Sequence, residues 1–233
     1  KMDPSVEWTM EANPEDITDE KLNLMSDRGV NRLSLGIQSF NDRKLQQLER
    51  SHGGAAAEAV IRKVADVIPN VSIDLIFAAP GETVSQWEKD LQITVSLPVQ
   101  HVSTYALTFE KGTAFWSRRR SGSLSSVDES DEITMYDLAR GLLAEAGLGH
   151  YEISNFAREG YACRHNLNYW RQGEYLGFGP AAVSTLGGLR YTNDPDLDGY
   201  VAALSRDQQP PRQDEILTDH KRLVEGIMLS LRQ

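Results

Sequence analysis

The most informative stretch for the architecture is Val71-Ser72-Ile73-Asp74-Leu75-Ile76-Phe77, whose odd-numbered residues are all apolar. Successive side chains of a β-strand point to opposite faces, so these apolar residues share one face while Ser72 and Asp74 point the other way. The stretch therefore predicts a strand that packs against helices on one side and carries a carboxylate on the other.

Two further runs repeat this separation. The side chains that face the helices are Leu33, Leu35 and Ile37 in one run and Val6, Trp8 and Met10 in the other, and the inward ones are Arg32, Ser34, Gln38, Glu7, Thr9 and Glu11. Because a barrel interior is normally filled with branched apolar side chains, three polar inner faces predict a cavity that holds ligand or water. Glu11 and Gln38 lie at the carboxyl ends of their strands, where barrel enzymes bind substrates. The alternative is a structural ion-pair network in which Asp74 pairs with Arg32.

Strand-like and helix-like patterns alternate at short spacing through the first half of the chain, as in parallel sheets with crossover helices. The predicted strands are Val6–Met10, Arg32–Ile37, Val71–Phe77 and His101–Leu107. The sequence therefore predicts an α/β fold: a partial (β/α) TIM-type barrel over residues 1–115, with its first strands missing, followed by a smaller α+β module over residues 116–233. A chain that enters a strand at once and ends straight off a helix is expected to be truncated at both ends.

The second module is predicted to begin with a helix from about Asp131 to Ala146, followed by a strand through Tyr151–Ser154. An amphipathic helix that carries Leu223 and Leu231 on one face is predicted at the end of the chain. The turn at Pro210-Pro211 is the predicted linker before it.

Charge and cysteine content restrict the partners and the compartment. The 34 acidic and 24 basic residues give a net charge of −10, which argues against a nucleic-acid duplex or an anionic membrane as the main partner. No apolar run approaches the length of a membrane-spanning helix. One cysteine provides no disulfide framework, so a reducing cytoplasm is expected. Whether a dimer forms stays open.

A second candidate site is the hexapeptide His165-Asn166-Leu167-Asn168-Tyr169-Trp170. An imidazole can ligate iron, aromatic rings can cover a macrocycle, and carboxamides can fix the imidazole tautomer. The alternative is a half-buried loop whose aromatic rings fill the core while His165 caps a carbonyl group. Cys163 could add a second heme ligand, but an inert buried thiol is the preferred interpretation.

Four motifs give the chain its resemblance to the radical S-adenosylmethionine (SAM) superfamily, in the branch of oxygen-independent coproporphyrinogen III oxidase-like proteins. They are Glu11-Ala12-Asn13-Pro14, Ser34–Phe40, Asp74–Gly81, and His101–Thr108 with Glu110–Thr113. The resemblance implies that SAM is bound by Glu11, Gln38, Arg50, Asp74 and Ala106. Strand alternation had already selected three of these five.

Within this branch, Tyr151–Phe156 and the hexapeptide resemble the heme chaperones of the HemW type, which bind heme and transfer it to acceptor proteins. The resemblance implies that His165 contacts heme, as the candidate ligand of its iron, with Asn166, Tyr169 and Trp170 around it. The alternative activity is that of an oxygen-independent coproporphyrinogen III oxidase, a radical SAM oxidative decarboxylase of porphyrin biosynthesis. A third hypothesis is a cofactor-free interaction module, for which the polar inner row would have no purpose.

Two departures from the family pattern stand out. The Cys-x3-Cys-x2-Cys triad that holds the [4Fe-4S] cluster is absent from this chain, and its ligands are expected upstream of Lys1. Because SAM is activated on that cluster, the chain by itself is not expected to perform the radical step, and whether it is part of an enzyme stays open. The other departure is Ala78-Ala79, where relatives usually carry a glycine before the Pro-Gly turn.

Overall fold

The computed structural model describes residue 3, residues 5–122 and residues 124–232. The chain forms two compact units, one that ends at Ala162 and one that begins at Cys163. Each unit is described by itself. No helix in the described part of the chain combines the length and the apolar character needed to cross a membrane.

The first unit is built on a six-stranded sheet with the order β1-β2-β3-β4-β6-β5. Its strands are β1 (Thr9–Ala12), β2 (Arg32–Gln38), β3 (Val71–Phe77), β4 (His101–Ala106), β5 (Gly149–Glu152) and β6 (Asn155–Ala157). The first four strands are parallel, and the β5–β6 hairpin is joined to β4 in antiparallel fashion through β6. Parallel strands with helices between them confirm the predicted α/β class and the partial barrel.

Six helices connect and cover these strands. They are α1 (Asp19–Arg28), α2 (Asp42–Gln47), α3 (Gly54–Ala65), α4 (Val84–Ser96), α5 (Ala114–Arg120) and α6 (Glu129–Glu145), and a 3-10 turn spans Pro14–Asp16. Helix α4 begins with a capping box, because the Thr83 hydroxyl accepts from the Gln86 amide while the Gln86 side chain accepts from Thr83. Helix α1 ends at Gly29, whose φ of 97° is a left-handed conformation that glycine adopts without steric cost.

The alternation in β2 and β3 is confirmed by burial. Leu33, Leu35, Ile73 and Leu75 are fully buried in one apolar core with side chains of the covering helices, such as Trp87. This core fixes which face of each strand points away from the helices. The polar face is therefore set by the packing of the apolar one.

The first strand differs from the prediction. It begins at Thr9 instead of Val6, because the Asn31 side chain occupies the backbone groups just before it. Asn31 Oδ1 accepts from Trp8 N at 2.8 Å, and Asn31 Nδ2 donates to the carbonyl oxygen of Val6 at 2.8 Å. Val6 and Met10, expected to face the helices, are 42% and 37% exposed, whereas Trp8 packs against the core as predicted.

The boundary between the units also lies later than residues 115 and 116, where the sequence places it. Helix α6 packs on α4 and contributes Met135, Ala139 and Leu143 to the core of the first unit. Trp87 Nε1 donates to the carbonyl oxygen of Met135 at 2.8 Å, which ties the two helices together. The strand predicted through Tyr151–Ser154 instead begins at Gly149 and ends at Glu152, and Ile153 and Ser154 form the turn between β5 and β6.

The second unit combines three helices with a small antiparallel sheet. Its elements are α7 (Arg164–Trp170), β7 (Val183–Leu186), β8 (Leu189–Asn193), α8 (Leu197–Ser205), β9 (Arg212–Ile216) and α9 (Asp219–Ser230), and the sheet order is β7-β8-β9. The predicted linker at Pro210-Pro211 leads into β9 and not directly into the last helix. The α+β character expected of a second module is confirmed for this unit.

Candidate cofactor sites

A row of polar side chains crosses the four parallel strands on the face turned away from the helices. Glu11 lies opposite Ser34 in the β1–β2 register. Ser34 Oγ donates to Asp74 Oδ1 at 3.4 Å, and Asp74 lies opposite Ser103 on β4. Because residues opposite each other in a sheet share a face, the predicted inward row is one continuous surface.

The two carboxylates of this row influence each other. Burial raises the pKa of Asp74 above its ordinary value, and the negative charge of Glu11 raises it further, while hydrogen bonds from Ser103 and Ser34 and the charge of Arg32 lower it. Arg32 and Asp74 form no ion pair within 4 Å, so the structural pairing considered as an alternative is not formed in this part of the structure. A bound cation would relieve the repulsion between Asp74 and Glu11.

A second polar group lies around Gly36 on β2. Arg50 Nη1 donates to Asn13 Oδ1 at 3.4 Å, which connects the loop after α2 with the end of β1. A Cβ atom on Gly36 would lie 3.1 Å from Gln38 Nε2 and 3.3 Å from Asn13 Oδ1. Glycine therefore leaves room for two carboxamides to approach the strand, and the arginine lies beside them. Asn13 and Gly36 were not identified as site residues from the sequence.

Ala106 takes a different position from the other expected SAM contacts. It is paired with Phe77, and its side chain packs against the core on the helix-covered face. Only the backbone of Ala106 can therefore contact a ligand on the polar face. The neighbouring Tyr105 lies on the polar face, where burial raises its pKa and Ser103 bonds to it.

The polar face fits SAM in charge, but the chain does not fit the iron–sulfur cluster. SAM carries a sulfonium, an ammonium and a carboxylate, which the carboxylates of Glu11 and Asp74 and the guanidinium of Arg50 can complement. A cluster needs several thiolates, and the single cysteine, Cys163, is 5% exposed and belongs to the other unit. Within the described residues, no group of three or more His, Cys, Asp and Glu side chains could hold a metal ion.

The hexapeptide forms a short helix, α7, and not the loop considered as an alternative. His165 and Tyr169 are one turn apart, and their rings meet edge to face with centroids 4.6 Å apart. Tyr169 meets Tyr175 in the same way at 4.5 Å. Asn166 and Trp170 are also one turn apart and lie on the adjacent side of the helix. His165 is exposed, so its imidazole is supported on one side and open to solvent.

Residues outside the hexapeptide hold α7 in place. Asn168 Nδ2 donates to the carbonyl oxygen of Glu174 at 3.0 Å, and Gln172 Nε2 donates to that of Arg222 on α9 at 2.8 Å. Gly173 leaves room for this carboxamide, because a Cβ atom there would lie 2.0 Å from Asn168 Oδ1 and displace it. A pocket of about 260 Å³ lies beside these contacts, with Tyr169, Gln172 and Gly173 in its wall.

Residues 2–93 match the model of the radical SAM superfamily. Within the chain, residues 2–93 thus correspond to a radical SAM domain. Among curated proteins, the chain is 36% identical to the heme chaperone HemW of Lactococcus lactis, over 97% of the chain and 60% of that protein. It is 33% identical to the heme chaperone HemW of Bacillus subtilis over the same shares. The chain thus spans about 60% of the length of these relatives.

Solved structures of other proteins share the fold of this chain. One is the coproporphyrinogen III oxidase HemN of Escherichia coli, described as a radical SAM enzyme, with a TM-score of 0.82 at 20% identity. The match covers 99% of this chain and 56% of the HemN chain. Elp3 of Methanocaldococcus infernus has a TM-score of 0.51 at 21% identity. That match covers 58% of this chain and 32% of the Elp3 chain. At these identities the similarity concerns the fold alone.

Proposed function

We propose that this chain is the part of a heme chaperone that binds heme on α7, holds SAM on the polar face of its sheet, and passes heme to acceptor proteins in the cytoplasm. The observation that carries the proposal is the exposed imidazole of His165, held by the ring of Tyr169 within a chain that matches heme chaperones over nearly its whole length. The cytoplasmic location is proposed because one cysteine suits a reducing compartment.

On α7, His165 would supply a ring nitrogen to the heme iron. The edge of Tyr169 limits rotation of the imidazole, and a fixed imidazole plane favours ligation because less freedom is lost on binding. Trp170 and Asn166, on the adjacent side, would offer an aromatic surface and a carboxamide to the macrocycle. A ligand on an exposed helix can be transferred without opening a core, which suits delivery more than permanent storage.

On the sheet, Glu11 and Asp74 would face the positive groups of SAM. Bound SAM supplies a sulfonium, whose positive charge lowers the cost of keeping both carboxylates ionised. Gln38 would offer its carboxamide, Arg50 would pair with the SAM carboxylate, and the backbone of Ala106 would complete the set. No step through an iron–sulfur cluster follows from these residues, since the chain lacks the thiolates.

Heme titration of the chain, followed by the Soret band, tests the first part of the proposal. The wild type should bind heme, and His165→Ala should weaken binding at least tenfold and change the band position, because an axial nitrogen ligand is lost. His220→Ala, at another exposed histidine of the same unit, is the matched control and should bind as the wild type does. Equal affinity of the wild type and His165→Ala would remove His165 from the proposed role.

A further inference from the structure

Two residues other than glycine adopt a left-handed backbone conformation where the chain leaves adjacent strands. Gln38, the last residue of β2, has a φ of 67°, and Ala78, directly after β3, has a φ of 58°. This conformation brings the Cβ atom close to the backbone, so it persists only where surrounding contacts enforce it. Ala78 belongs to the segment in which the family resemblance leads one to expect a glycine.

A buried ionic cluster lies next to both turns. Lys44 Nζ, on α2, bonds to Glu82 Oε1 at 2.5 Å and to Asp90 Oδ2 at 3.2 Å. The side chain of Lys44 is 6% exposed, and both carboxylates are 2% exposed. Its ammonium also lies 5.2 Å from the centre of the Trp87 ring. One cation thus bridges two buried carboxylates that would otherwise repel each other.

Each carboxylate also binds the chain just after one of the two left-handed residues. Asp90 Oδ1 accepts from Phe40 N at 2.9 Å, and Asp90 Oδ2 accepts from the Ser39 hydroxyl at 2.6 Å. Glu82 Oε2 accepts from Ala79 N at 2.9 Å, directly after Ala78. Lys44 therefore binds one oxygen of each carboxylate. The same two carboxylates accept hydrogen bonds from the residues that follow Gln38 and Ala78.

We propose that Lys44 is a positioning residue for the SAM site, because it clamps the two turns that follow β2 and β3 through Asp90 and Glu82. This inference rests on the proposed binding of SAM, since Gln38 belongs to the first turn and the backbone of Ala106 lies beside the end of β3. Without the ammonium, the two buried carboxylates repel each other and move apart, and the peptides at Phe40 and Ala79 lose their acceptors. Gln38 then relaxes from its left-handed conformation, and its carboxamide leaves the group around Gly36.

The test compares Lys44→Met with Lys63→Met. Methionine keeps the unbranched shape of the lysine stem, and Lys63 forms a surface ion pair with Asp19, so its replacement controls for the loss of a lysine. Hydrogen exchange of the chain without ligand should become at least tenfold faster at Phe40 and Ala79 in Lys44→Met only. Calorimetric titration with SAM should show at least tenfold weaker binding for the same variant. Unchanged exchange, or faster exchange with unchanged SAM affinity, would overturn the positioning role.

Two more variants keep the test decisive. Glu82→Gln keeps an oxygen acceptor for Ala79 but removes one charge, so it should fold even if Lys44→Met does not. Because a neutral acceptor bonds more weakly than a carboxylate, faster exchange should be confined to Ala79. Ala78→Gly in the Lys44→Met background should recover part of the lost SAM affinity, because glycine adopts the left-handed conformation without help. No recovery would overturn the link to backbone strain. A wild type that binds no SAM would overturn the proposed cofactor site, and hydrogen exchange would still test the clamp.

Discussion

His101 makes the stability of the first unit depend on pH. Its side chain is buried, with Nδ1 2.8 Å from the Ser72 hydroxyl and Nε2 2.7 Å from the Tyr151 hydroxyl. Burial, and secondly the positive charge of Arg32, lower its pKa from 6.5 to about 3. At a pH of about 4.5 the imidazole is therefore neutral in the folded chain but protonated in the unfolded one.

The sign and the size of the effect follow from this difference. A histidine with a lowered pKa contributes stability that is fully present above its unfolded value of 6.5 and is lost as the pH falls toward its folded value of about 3. Between pH ~7.5 and pH ~4.5 the loss covers two units below 6.5 at about 1.36 kcal/mol each, or roughly 2.7 kcal/mol.

The assay is urea unfolding of the wild type and of His101→Asn at both pH values, followed by circular dichroism and tryptophan fluorescence. The wild type should lose roughly 2.7 kcal/mol more than the variant between the two conditions. Asp74 and Glu82, whose pKa values are raised by burial, titrate in both proteins and cancel in the comparison. His165→Asn, at an exposed histidine, should behave as the wild type does. Equal losses in the wild type and His101→Asn would refute the buried neutral imidazole.

Three further substitutions test particular contacts. Gly173→Ala should lower the stability of the second unit by roughly 1 to 3 kcal/mol and weaken heme binding, because the new Cβ atom would lie 2.0 Å from Asn168 Oδ1. A variant whose Soret titration and urea midpoint equal those of the wild type would contradict this. Gly141 lies in the exposed middle of α6, and no atom would lie within 4 Å of a methyl group there. Gly141→Ala should therefore raise the free energy of unfolding in urea by about 0.5 to 1 kcal/mol, and the absence of a gain would contradict the helical assignment. Trp87→Phe should lower the free energy of unfolding by roughly 2 to 3 kcal/mol, because a fully buried ring becomes smaller and the hydrogen bond to the Met135 carbonyl is lost. A loss below about 1 kcal/mol would count against that hydrogen bond.

The sequence predicted the polar face where apolar side chains recur at every second position. In β2 and β3 these positions hold buried apolar residues, so the register admitted one orientation. In β4 the polar residues Ser103 and Thr104 are adjacent, and the sequence pattern alone does not show which of them faces the ligand side. The register to β3 resolves this, because Ser103 pairs with Asp74. The same register shows that Ala106 can contribute only its backbone.

Other features depend on contacts that a local pattern cannot show. Helix α6 joins the first unit through packing on α4, and its own sequence gives no sign of which neighbour it covers. The helix from Arg164 to Trp170 has seven residues, of which two are asparagines with low helix propensity, and isolated helices of that length are unstable. Its formation depends on the bonds from Asn168 and Gln172 to segments farther along the chain.

The two proposed ligands can be tested independently, because their residues belong to different compact units. Replacing Asp74 with asparagine removes one of the two carboxylates proposed to face SAM and leaves every contact of α7 unchanged. Replacing His165 removes the proposed iron ligand and leaves the sheet unchanged. If the Asp74 substitution weakens only SAM binding and the His165 substitution weakens only heme binding, SAM binding is no precondition for heme binding. SAM would then act in a later step, such as heme release. If saturating SAM tightens heme binding to the wild type but not to Asp74→Asn, the two sites are energetically coupled, and heme should then tighten SAM binding by the same factor.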